Sequence, residues 1–241
     1  MPAPKITLYV DTVSPFAYMA YYMMRPPRSA TGQHQNVLSN KGTNQHDAVF
    51  RKCDITYVPI FLGGLMKSCG NTAPLNITNK NVWIDKNRRL WARTLNIPIK
   101  EDTPPNFPPM TLAIMRHLAA LNEIDGRNQG RMLQALDALY EGFWVRHEAT
   151  FKPEVFQPIL QKILGAEDAA RVSEAAGKEG KAALSRNTEQ AFDENAFGLP
   201  WMVCTNSKGE TESFWGVDHL GQVAAFLGLE KPGSGGWKAL L

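Results

Sequence analysis

Segments that read as β-strands lie only toward the two ends of this 241-residue chain, while the long stretch between them carries apolar residues at helical spacing. A sheet requires its strands side by side, so the two ends must meet and the helices must form an excursion from that sheet. At the front, "KITLYVD" and "CDITYVPIFLGG" read as strands, the second closed by Gly63 and Gly64. At the back, "PWMVCTN" and "TESFWG" flank the turn signal "SKG" and read as a hairpin. "DHLGQVAAFLG" follows as a helix with Leu220, Val223, Ala224 and Leu227 on one face, and the Gly- and Ser-rich tail "KPGSGGWKALL" reads as loose. In the middle, "PPMTLAIMRHLAALNEI" places Ile114, Leu118 and Leu121 on one face, and "RMLQALDALYEGFWVRH" does the same with Met132, Leu136, Leu139 and Phe143. Further helix is expected through "PEVFQPILQKIL" and "GKAALSRNTEQAFDEN". The order β-α-β, helices, then β-β-α predicts an α/β fold: a small mixed sheet with one connection expanded into a helical domain.

Composition narrows the function classes. Lys and Arg are interspersed with Asp and Glu, and the net charge is only +3, so no basic footprint for nucleic acid is present. No apolar run approaches the roughly 20 residues that span a bilayer, and "MPAPKITLYV" enters a strand at once, so a cytoplasmic protein without a presequence is expected. Cys53, Cys69 and Cys204 form neither a CxxC pair nor a ligand spacing, which fits a reducing compartment. His34, His46, His117, His147 and His219 are scattered, so no metal site is expected.

Residues 26–48, "PPRSATGQHQNVLSNKGTNQHDA", offer only Val37 and Leu38 as large apolar residues. Such a stretch cannot offset the entropy of ordering itself, and a structureless loop longer than about 15 residues is uncommon inside a domain. It reads as a disordered insertion in the connection between the first helix and the second strand, and an extra translated segment such as a retained intron would have this composition and these abrupt edges.

Three short stretches carry chemistry. In "DTVSPFAY", residues 11–18, Ser14 precedes a proline at the expected first position of a helix. Capping accounts for such a pair by itself. The same place is also an anion site, because a helix starting at the carboxyl edge of a sheet presents unpaired N–H groups and the positive end of its dipole. A thiolate held there would gain about 0.3–1 kcal/mol from the dipole and about 1.5–3 kcal/mol from a charge-assisted hydrogen bond. At 1.36 kcal/mol per pKa unit, that lowers a thiol by about one to three units from its usual value near 8.5. In "FGLPWMV", residues 197–203, Leu199-Pro200 before a strand is compatible with a cis-proline turn that leaves the backbone of Leu199 to pair with an extended peptide-like ligand; an ordinary trans proline ending a helix is the alternative. "GGLMKSCGN", residues 63–71, reads as a glycine-flanked loop in which Asn71 is a turn residue or a helix cap.

Together these stretches resemble the kappa-class glutathione transferases, a branch of the thioredoxin-fold family that also includes 2-hydroxychromene-2-carboxylate isomerases and periplasmic disulfide oxidoreductases. "DTVSPFAY", "FLGGLMKSCGN", "AFGLPWMV" and "FWGVDHL" match that family's motifs in order, and "LNIPI" ahead of "TPPNFPPM" matches too. The resemblance implies a thioredoxin-like domain, residues 1–70 and 190–230, interrupted by a helical domain, 71–189, with a flexible tail at 231–241. It implies a homodimer, glutathione as co-substrate, and no metal. Ser14 would stabilise the glutathione thiolate, supported by the helix start at Pro15 and Phe16. Asn71 and Lys80 would hold the ligand, Leu199 before Pro200 would pair with its cysteinyl backbone, and Asp218 would bind the γ-glutamyl amine. Where relatives carry a serine this chain has Val217, which keeps only its backbone N–H, and His219 replaces a permanent cation.

The reaction implied is attack of the thiolate on an electrophilic carbon, or reduction of a peroxide. A chromene-type isomerase would use the same glutathione site, and a module that binds glutathione without turnover is a further alternative. A disulfide oxidoreductase is disfavoured, because positions 14 and 17 are Ser and Ala. Relatives occur in mitochondria and peroxisomes, but "KALL" is not a peroxisomal ending.

Overall fold

The computed structural model describes residues 2–25 and 49–240; the expected insertion at 26–48, with His34 and His46, lies outside the described residues. Strand β1 (Lys5–Val10) leads into helix α1 (Pro15–Met24), and β2 (Asp54–Pro59) into α2 (Leu62–Ser68). The helical excursion follows as α3 (Lys80–Thr94), α4 (Leu112–Ile124), α5 (Gly130–Tyr140), α6 (Pro153–Leu164), α7 (Ala166–Ala176) and α8 (Glu179–Asp193). The chain returns through β3 (Trp201–Thr205), β4 (Thr211–Trp215) and α9 (Leu220–Phe226). The junction expected at residue 189 therefore falls inside α8.

The sheet order is β2-β1-β3-β4, with β1 parallel to β2 and antiparallel to β3. Both faces of the two central strands are covered, and the period of two divides them. Ile6, Leu8 and Val10 of β1, with Met202 and Cys204 of β3, enter the main core; Tyr9 and Trp201 enter a second cluster with Ile60, Leu65, Ala191 and Leu199. Outer strand β2 is shielded by a side chain: the amide of Gln129 accepts from Tyr57 N at 2.9 Å and donates to Tyr57 O at 2.7 Å, copying the bonds a neighbouring strand would make.

Helix α1 ties the sheet to the helical excursion. The Tyr21 hydroxyl donates to Asp137 of α5 at 2.5 Å, and the Arg25 guanidinium pairs with the same carboxylate at 3.2 Å. Tyr18 stacks on Tyr140, their ring centres 5.0 Å apart.

Two local expectations are corrected. Gly63 and Gly64 do not open a loop; they sit in the first turn of α2, where a Cβ on either would press into the Phe61 ring, at 2.9 and 3.1 Å. The tail is not loose. Trp237 is fully buried, its ring 5.8 Å from that of Phe50, and Gly236 passes so close to Thr94 O that a Cβ would lie 2.6 Å from it. One buried aromatic offsets the flexibility that the surrounding glycines confer.

The head of α8 rests on α4 with no room for a side chain, since a Cβ at Gly180 would lie 2.4 Å from Arg116 O and 2.9 Å from the Ala120 Cβ. Gly180→Ala is therefore expected to destabilise the fold by about 1–3 kcal/mol through overpacking, although Ala is the better helix former. Urea unfolding checks this: the midpoint should fall with an unchanged slope.

Candidate functional site

Register brings the motifs to one edge of the sheet. Val10, the last residue of β1, pairs with Pro59 at the end of β2; on the other side Tyr9 pairs with Trp201 at the start of β3, which pairs with Trp215 at the end of β4. The segments 11–14, 60–61, 198–200 and 216–218 consequently all emerge at the carboxyl edge of β1.

Ser14 caps α1. Its Oγ accepts from Ala17 N at 3.1 Å, its carbonyl accepts from Tyr18 N, and Pro15 occupies the first helical position, where no N–H is needed. The residue is 5% exposed. Among the described residues its hydroxyl is used only as an acceptor, so the hydrogen remains available to a ligand.

The loop that sets Ser14 is organised by Asp11, a residue without an assigned role in the sequence reading. Its carboxylate is fully buried, accepting from Val13 N at 3.1 Å and from Leu62 N at 2.9 Å, with further bonds from Thr111 and the Thr12 backbone. Burial pushes this carboxyl up to about 6, while the donors hold it back from rising further. Its backbone carbonyl accepts from the Tyr140 hydroxyl at 3.3 Å, and the next carbonyl, of Thr12, accepts from Trp144 Nε1 at 3.0 Å. Trp144 lies in the π-helical turn Glu141–Arg146 that follows α5, a type of bulge common at functional positions. The sequence signals for Asp11 were its place as first residue of the DTVSPFAY motif and an acidic residue just past a strand, where Asp readily closes a turn on its own backbone; nothing local pointed to Tyr140 or Trp144.

The remaining candidates divide. The Leu199–Pro200 peptide bond is cis, and Pro200 O accepts from Gly216 N at 3.1 Å, so this turn is joined to the one bearing Val217 and Asp218. Val217 is buried and Asp218 exposed. Gly216 takes φ 95°, and a Cβ there would lie 2.3 Å from the Asp218 carboxylate, which folds back over it. Phe16 is half-buried against the main core. Asn71 is exposed, and its Nδ2 donates to Phe197 O at 2.7 Å, clipping the segment after α2 to the cis-proline turn. Phe197 in turn packs on Trp215, ring centres 4.8 Å apart, and on Trp201 at 5.6 Å. Lys80 is exposed at the head of α3, and no hydrogen bond or ion pair joins it to these turns among the described residues. Nor do the described residues contain a cluster of three His, Cys, Asp or Glu side chains able to hold a metal ion, and no described helix is long and apolar enough to cross a membrane.

Residues 5–228 match the family model of the DSBA-like thioredoxin domain. This chain belongs to that family. Similar in sequence are glutathione S-transferase kappa 1 of Caenorhabditis elegans, 26% identical and spanning 95% of this chain and 93% of that protein, and glutathione S-transferase kappa 1 of Homo sapiens, 26% identical over 94% and 92%. In structure the DsbA-like fold superposes on a 2-hydroxychromene-2-carboxylate isomerase with a TM-score of 0.67 at 17% identity, covering 93% of this chain and 94% of the other. A probable DsbA oxidoreductase from Streptomyces coelicolor gives 0.59 at 14% identity, covering 95% and 92%. The thioredoxin-like fold and the kappa-class resemblance read from the motifs hold.

Asp11→Ala would strand Leu62 N and Val13 N without their acceptor, and is expected to cost about 2–6 kcal/mol, at roughly 1–3 kcal/mol for each of the two buried unpaired groups. Because the native carboxyl titrates above its unfolded value of 3.8, the folded wild type binds more protons between about pH 4 and 6, and its stability falls as pH rises through that window. Urea unfolding across this range should show the gap between wild type and Asp11→Ala narrowing by on the order of 3 kcal/mol toward pH 7.

Proposed function

We propose that this protein is a glutathione transferase of the kappa type, which ionises bound glutathione for attack on an electrophilic carbon or for peroxide reduction. The observation that carries the reading is the Ser14 hydroxyl, capping α1 with its hydrogen unused among the described residues, on the same sheet edge as the Leu199–Pro200 turn. The sequence similarity to named kappa glutathione S-transferases along nearly the whole chain supports it.

In this reading Ser14 donates to the glutathione sulfur while its lone pair stays on Ala17 N, and the N–H of Phe16 and the positive end of α1 add to the field; Pro15 contributes no N–H but fixes the helix start. The backbone of Leu199, ahead of Pro200, pairs with the cysteinyl residue as an extra strand would. Val217 N–H and the Asp218 carboxylate receive the γ-glutamyl end, and Asn71 borders the ligand from the loop it clips to Phe197. Lys80 supplies charge from the head of α3. The protein's share of the chemistry is thus a lowered thiol pKa and a fixed attack direction. A homodimer is part of the same proposal.

A second reading, a glutathione-dependent isomerase, is favoured by the superposition on 2-hydroxychromene-2-carboxylate isomerase. It uses the same sulfur site and differs in whether the adduct is released or rearranged, so turnover assays with a chloronitrobenzene and with a chromene carboxylate separate the two. A dithiol mechanism is disfavoured because α1 opens with Ser14 and Ala17 where two cysteines would be required.

Thiolate absorbance of bound glutathione against pH tests the central claim. Ser14→Ala is expected to raise the apparent thiol pKa by about one to two units, from the loss of a charge-assisted bond of roughly 1.5–3 kcal/mol; coincident curves would remove Ser14 from the mechanism. Asp218→Ala should instead weaken glutathione binding about tenfold by calorimetry, leaving the thiol pKa of the bound ligand in place.

A further inference from the structure

We propose that the cleft between α2, α4 and α8 is a separate binding site for an amphiphilic organic anion, a long-chain carboxylate being its simplest form. The cleft measures about 650 Å³, within the range of small-molecule sites. Ser14, Asn71, Leu199, Pro200, Val217 and Asp218 are not among its lining residues.

Its wall has two chemistries. Phe61, Leu112, Leu184 and Phe192 supply apolar surface, and Phe192 is 42% exposed although large and hydrophobic. Arg116 and Lys181 supply positive charge against one acid, Glu189. Other arginines of the excursion are neutralised: Arg186 by Glu123, and Arg131 by Asp125 and Asp168. Arg116 and Lys181 form no ion pair among the described residues, and Arg116 Nε is buried without any hydrogen-bond partner. A guanidinium that lines a cleft without an ion pair presents a planar fork of donors to an anionic oxygen. The close seating of Gly180 on Arg116 O brings the first turn of α8, with Lys181, beside the turn of α4 that carries Arg116. Paired cations beside an aromatic and aliphatic wall match an acid head on an apolar tail.

Calorimetric titration of the full chain with dodecanoate tests the site, with dodecanol and dodecyltrimethylammonium as neutral and cationic comparators. Dodecanoate is expected to bind at one per chain, at least tenfold tighter than either comparator. The double variant Arg116→Gln, Lys181→Gln should lose that preference while keeping the wild-type circular dichroism spectrum. Phe192→Ser, a change at an exposed position, should weaken dodecanoate several-fold. Equal binding of dodecanol, or an unchanged affinity in the charge variant, would overturn the proposal. A repeat with saturating glutathione should leave dodecanoate binding intact, and displacement would also overturn it. The first titrations contain no glutathione, so their outcome is independent of the role given to Ser14.

Discussion

A single buried carboxylate governs the geometry at the business edge of the sheet. Asp11 reaches Val13 N within its own loop, Leu62 N at the start of α2, and Thr111 at the start of α4. Three segments far apart in sequence are thereby held to one pair of oxygens. The hydrogen bonds that recover part of the desolvation cost are also what fix the loop, so positional order and electrostatic strain have the same source.

Ser14 is placed by that loop and not by its own contacts alone. The sheet delivers β1 to the edge, Asp11 turns the chain, and Pro15 starts α1 with its dipole directed at the opening. From the opposite side the excursion grips the same four residues through Tyr140 and Trp144. The helical segment is thus more than a lid over the sheet: α5 and the π-turn after it contribute donors to the backbone on which Ser14 depends. A pocket built against this segment would be mechanically continuous with the loop that carries Ser14.

Legibility in the sequence followed the range of the interactions involved. Strands β1, β3 and β4 and the hairpin turn were readable because period-two patterning and "SKG" are local signals. Helices α4 and α5 were readable because Ile114, Leu118, Met132 and Leu136 repeat on one face. The Ser-Pro start of α1 was visible for the same reason. Gly63 and Gly64 misled, since glycine ordinarily punctuates a chain, whereas here the pressure of the Phe61 ring selects it inside a helix. The tail misled because one tryptophan outweighs three glycines and a serine only once a cavity beside Phe50 exists to receive it. Asp11 carried a visible turn signal but not its partners, Leu62 and Thr111, whose proximity is a property of the assembled fold. Lys80 matched a family pattern by position, yet among the described residues no hydrogen bond or ion pair links it to the turns around Ser14.

The outer strands of this sheet are not equivalent. Gln129 occupies both bonding groups of Tyr57 on β2, whereas β4 ends in Trp215, a half-exposed aromatic packed at a tilt against Phe197. Growth of the sheet by an added chain is therefore blocked at the middle of one flank, and an incoming extended segment would have to lie along the flank that carries the indole.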